Sequence, residues 1–172
     1  FSADYNDIYR GNSGYPVYYS GYKSFSDYQA TGNGTNSVNL DPVFNTDSTL
    51  VPMARALDNL GTPLSGITDD IYDTTRSTTT PDMGAIEFTT GGTELSGTYT
   101  VGSGGDFATL DTLGQHLAQN GISGAVTFNI LSGTYTGTLT LGTVYGSSAT
   151  NTITLQSAAA NADSVIWENT GS

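Results

Sequence analysis

Apolar and polar residues alternate most regularly in the second half of the chain. Val126-Thr127-Phe128-Asn129-Ile130, Thr138-Leu139-Thr140-Leu141, Thr152-Ile153-Thr154-Leu155 and Ser164-Val165-Ile166-Trp167 each carry the period of two that predicts a half-buried strand. Thr98-Tyr99-Thr100-Val101 predicts another, followed by a tight Gly102-Ser103-Gly104-Gly105 turn. Between these strands the period changes. Phe107, Leu110, Leu113 and Leu117 recur at helical spacing, with Asp106 placed as the N-cap and Asn120-Gly121 as the stop.

The first half is less regular. Residues 1–44 are crowded with tyrosine: Tyr5, Tyr9, Tyr15, Tyr18, Tyr19, Tyr22 and Tyr28. Short apolar-aromatic runs alternate with Asn-Asp, Gly11-Asn12-Ser13-Gly14 and Gly32-Asn33-Gly34 turns, which predicts strands of about four residues with frequent corners. The tyrosines suit outer-layer packing with their hydroxyls in water, or a sugar-stacking surface. From Asp41 to Phe88 the pattern is that of an extended tail. Arg76 has Asp73, Asp82 and Glu87 within sequence reach, so an ion pair is expected there.

Short strands with one amphipathic helix suggest a stack of parallel rungs whose open end is covered by that helix. The expected fold is therefore all-β: a right-handed parallel β-helix, or solenoid, in two partial units. Residues 1–88 are read as the final rungs and closing tail of a first β-helix and 89–93 as a linker. Residues 94–172 are read as the capped start of a second. The chain opens on Phe1-Ser2-Ala3-Asp4 and stops at Thr170-Gly171-Ser172 within repetitive β sequence, and is read as a segment of something longer.

Composition narrows the function. Of 172 residues, 16 are acidic and 4 basic, for a net charge of -12, which argues against nucleic acid and anionic lipid surfaces as partners. Cysteine is absent, so disulfide frameworks and thiolate metal sites are excluded. No apolar run of about 18 residues predicts a membrane span, and no signal-peptide pattern is seen.

Two stretches resemble a known family. Asn39-Leu40-Asp41-Pro42-Val43-Phe44, Gly61 to Ile71, Thr75-Arg76 and Pro81 to Phe88 are similar to a terminal segment that closes parallel β-helix domains of the pectate-lyase-like superfamily. Such domains occur in tandem in large secreted proteins of the Bacteroidetes. Gly105 to Leu110, Gly124 to Ile130 and Ser132 to Tyr135 resemble the opening of another such domain. The sequence departs from the pattern at Tyr72-Asp73, where an Asp-Gly turn is usual, and at Met53 to Leu57, where a Ser-Pro-Ala run is usual. The resemblance implies a giant cell-surface adhesin, extracellular and exported by the gliding-associated (type IX) route.

Candidate chemistry is sparse. A β-helix lyase needs a basic residue and a Ca²⁺-holding acidic cluster, but Arg10, Lys23, Arg55 and Arg76 are scattered. A hydrolase needs converging carboxylates. Asp69, Asp70 and Asp73 are the candidates for a weakly held Ca²⁺, with turn formation as their plainer role. His116, the sole histidine, is expected exposed on the polar side of the helix. The pairs Thr98/Thr100, Thr134/Thr136, Thr138/Thr140 and Thr152/Thr154 would suit ice binding only as a regular array. The residues expected to matter structurally are Asp106, Phe107, Leu110, Leu113, Leu117, Arg76 and Asp82. The expected function is a non-catalytic structural and adhesive module that meets a surface polysaccharide or substratum, alongside adjoining domains of the same chain. The alternatives are a fragment of a polysaccharide lyase or hydrolase and, more remotely, an ice-binding protein.

Overall fold

Nine residues from Ile122 to Ile130 form the central strand of the second half, and their alternation shows why. Val126, Phe128 and Ile130 are buried, while Thr127 and Asn129 between them are partly exposed. The computed structural model describes residues 3–11, 16–46, 48–137 and 139–168. It divides into two compact units, residues 1–90 and 91–172.

Unit 1 holds little regular structure. Strands β1 (Val17–Tyr18) and β2 (Tyr22–Lys23) pair antiparallel, and helix α1 (Phe25–Gln29) follows, capped by the Ser24 hydroxyl. A single 3-10 turn occupies Arg55–Leu57. Ala54, Leu57, Ile86 and Phe88 form a small buried cluster, with Val38, Leu40, Val43 and Val51 packed on it.

In unit 2, β3 (Leu95–Val101), β4 (Ile122–Ile130) and β6 (Ile153–Ser157) make a parallel sheet in the order β3-β4-β6. A second parallel pair joins β5 (Gly133–Thr136) to β7 (Val165–Glu168). Helix α2 (Leu110–Asn120) supplies Leu110, Leu113 and Leu117 to the same core as Val101, Val126 and Phe128. Tyr99 and Phe107 meet Phe128 at ring separations of 5.9 Å each. Glycine is required where α2 ends. Gly121 has φ 71°, and a Cβ on Gly146, itself at φ 80°, would collide with the Ile122 carbonyl oxygen.

This architecture corrects the all-β, right-handed parallel β-helix expectation. The described residues form a mixed α/β structure, with few short strands in three separate small sheets and no stack of repeating rungs among them. Alternation reports that a strand is half buried, but it carries no count of the strands that align. In unit 1, turns interrupt the apolar runs, and among the described residues the strands β1 and β2 are two residues long each and antiparallel. Leu139, Thr140 and Leu141 are not in a strand. Thr138, Tyr15, Asn12, Ser13, Gly14 and the two chain ends lie outside the described residues.

The helix lid also differs in its start. Asp106 is not the N-cap. Thr109 is, in a reciprocal capping box with Thr112. Asp106 instead folds back, its carboxylate accepting from the Thr100 amide and hydroxyl at 2.7 Å each. Phe107 consequently precedes the helix, bridged to Val101, and joins the core through its ring.

Candidate functional site

The sequence-predicted polar groups of unit 1 are engaged mainly with backbone. Asp70 Oδ1 accepts from the Tyr72 and Thr74 amides at 2.7 and 2.9 Å, and its Oδ2 accepts from the Glu87 amide at 2.9 Å. The Glu87 amide first, then those of Thr74 and Tyr72, hold its carboxyl below the usual carboxylate range. Asp69 takes the Thr68 hydroxyl, and Asp73 sits at φ 61° in the turn that Asp70 closes. Among the described residues, no three His, Cys, Asp or Glu side chains stand together where they could hold a metal ion.

Arg76 does form an ion pair, with Glu87 at 3.6 Å, and it donates to the carbonyls of Gly84 and Asp82. Its partner is Glu87 and not the carboxylate of Asp82. That carboxylate is buried and accepts the amides of Asn59 and Phe88, both at 2.6 Å. Burial pushes the Asp82 carboxyl up against the lowering effect of those two donors.

In unit 2, His116 is half-buried instead of exposed: Nε2 lies 3.1 Å from the Thr93 carbonyl and the ring meets Phe107 edge-on. Gly102 to Gly105 is a turn closed by the Gly105 amide on the Gly102 carbonyl. Thr98, Thr127 and Thr154 stand in register across β3, β4 and β6, but the neighbouring column runs Thr100, Asn129 and Gln156. The two-threonine-wide array needed for an ice face is therefore not formed in this sheet.

Sequence reasoning missed a cleft of about 700 Å³ in unit 1. Leu57 and the stretch from Met83 to Ile86 line it, together with three loop segments. Tyr5 and Tyr9 come from the first, which is tied to Val38 by the Ile8 and Val38 amides. Phe44 and Leu50 come from the second, and Ile71 and Tyr72 from the third, which is anchored by the Ile71 amide on the Ala85 carbonyl. All six of these side chains are more than a third exposed.

Polar groups reach the same space. Asp7 lines it and accepts the Leu40 amide through Oδ1 at 3.1 Å. Burial, and to a lesser degree the nearby Asp41 charge, raise its carboxyl. The Tyr9 hydroxyl donates to Asp41 at 3.1 Å. The described lining contains Asp7 and no Lys, Arg or His. Tyr5, Tyr9 and Tyr72 were visible in the sequence only as single aromatic residues. No periodicity joined them, because turns and not a strand or helix bring them together.

A second aromatic surface lies on the β1–β2 hairpin. Tyr18 and Tyr22 are each 73% exposed, and their rings meet edge-on at 5.2 Å. No helix among the described residues is long and apolar enough to cross a membrane. No protein-family model, curated protein or solved structure matches the chain.

Proposed function

We propose that the chain is a non-catalytic structural and adhesive module of a large secreted bacterial cell-surface protein, and that it contacts a surface polysaccharide or substratum. The observation that carries this reading is the exposure of Tyr18 and Tyr22 on a two-strand hairpin. Exposed aromatic rings with polar tips are suited to contact, since they offer apolar area with little conformational entropy to lose. The use of acidic side chains supports the same reading. Asp4, Asp7, Asp41, Asp70, Asp82 and Glu87 each accept backbone amides, which spends their lone pairs on holding loops.

The test is retention of the purified chain on immobilised polysaccharides and on bacterial cell surfaces, set beside lyase and hydrolase assays on the same polymers. Retention with no release of unsaturated or reducing sugars is expected. Ca²⁺-dependent release of unsaturated sugars would replace this reading with a lyase, and thermal hysteresis would replace it with ice binding.

A further inference from the structure

Resting on the adhesive reading, we propose that the unit 1 cleft walled by Tyr5, Tyr9, Phe44 and Tyr72 is a binding site for uncharged sugar rings, and that it rejects uronic acids. Sugar rings present C–H groups on their faces and hydroxyls around their rims. The cleft offers the complement: aromatic and aliphatic walls from Tyr5, Tyr72 and Leu50, with Asp7, Asn6 and Ser48 able to meet hydroxyls. A volume near 700 Å³ falls in the range of small-ligand sites.

Charge selects among sugars. The Asp7 carboxylate lines the cleft, Asp41 lies beside it, and no described lining residue is cationic. An incoming carboxylate would meet like charge without a counter-ion, inside a chain of net charge -12. A neutral hydroxyl can instead donate to Asp7, which uses Oδ1 for the Leu40 amide.

Backbone strain points to the same place. Tyr5 and Leu50, at φ 55° and 51°, line the cleft. Val43, at φ 48°, sits between its lining residues Pro42 and Phe44, and Asp73 at φ 61° follows Tyr72. A β-branched residue at positive φ is costly, and such residues persist where the surroundings hold a functional geometry.

The experiment is titration calorimetry of the full chain with neutral gluco-, manno- and galacto-configured hexasaccharides, and with the galacturonate hexasaccharide. At least one neutral oligosaccharide should bind, and the uronate should bind at least about tenfold more weakly than the neutral galacto compound or not at all. Tyr72→Ala should weaken the neutral ligand at least about tenfold, while Tyr18→Ala, outside the cleft, leaves it unchanged. Asp7→Asn keeps an acceptor for the Leu40 amide and should narrow the gap between neutral and acidic ligands. Equal or tighter uronate binding, neutral binding indifferent to Tyr72→Ala, or binding of an apolar peptide alone would overturn the proposal. Surface retention that persists while no hexasaccharide binds would overturn the cleft site and leave the adhesive reading standing. Loss of retention as well would overturn both.

Discussion

The two units solve the same physical problem with different chemistry. Among the described residues, unit 2 buries ten apolar side chains, from Leu95 to Val144, in one cluster between parallel strands and a helix. Unit 1 buries four in its cluster and closes its loops by aiming carboxylates at amides: Asp82 at Asn59 and Phe88, Asp70 at Tyr72, Thr74 and Glu87, Glu87 at Ser77 and Asp82. Among the described residues, six of the seven non-glycine residues at positive φ are in unit 1. Regular strands satisfy backbone groups by repetition. Where repetition is missing, each buried amide needs its own acceptor. The freedom gained is that loops can gather aromatic side chains around a cleft.

The largest difference should appear in the cores. Phe128→Ala, at a fully buried position ringed by Tyr99 and Phe107, should cost about 3–5 kcal/mol. Denaturant titration followed by Trp167, the only tryptophan, reads unit 2 directly. Leu57→Ala should cost about 2–3 kcal/mol in unit 1, read by near-ultraviolet dichroism of its tyrosines. A larger loss from Leu57 than from Phe128 would break the comparison. Next comes Asp82→Ala, which strands two amides and should cost about 2 kcal/mol in a thermal melt, with Asp82→Asn losing about half as much because one acceptor remains. Thr109→Ala removes the α2 capping box and should cost about 1 kcal/mol.

The smallest effect is the dependence on pH, and its sign changes within unit 1. The Asp82 carboxyl is raised in the folded chain, so its stabilising contribution is complete below its unfolded pKa and is lost as pH rises through the folded one. Asp70 is lowered, so its contribution is present above the ordinary value of 3.8 and is lost as pH falls through its folded pKa, below 3.8. Acidification should first raise the unit 1 melting temperature slightly, with Asp7, also raised, acting in the same direction, and then lower it. Asp70→Asn should remove much of the fall at low pH.

Much of unit 2 was legible because its side chains obey a period. Val126, Phe128 and Ile130 announce a strand, and Leu110, Leu113 and Leu117 a helix, and both are present. What the period could not give was extent. The same alternation at Leu139 and Leu141 leads to no strand at those residues, and the expectation of two partial β-helix units failed on the few short strands described and on their division among separate sheets. Capping was legible in kind but not in place, since Asp106 and Thr109 are both good caps and the turn hydrogen bonds to Thr100 took Asp106 out of competition. Unit 1 was mostly illegible. The link from Asp82 to Asn59 spans 23 residues and that from Asp7 to Leu40 spans 33, and neither leaves a trace in local spacing. The aromatic residues of the cleft were seen singly, but no rule of sequence placed Tyr72 beside Tyr5.

Residue-resolved hydrogen exchange tests most directly whether carboxylates hold unit 1 together. The amides of Asn59, Glu87 and Phe88 should exchange slowly in the wild-type chain, and those of Asn59 and Phe88 should become fast in Asp82→Ala. Exchange of all three at the rate of free amides, or protection at Asn59 and Phe88 that survives the loss of Asp82, would contradict the account.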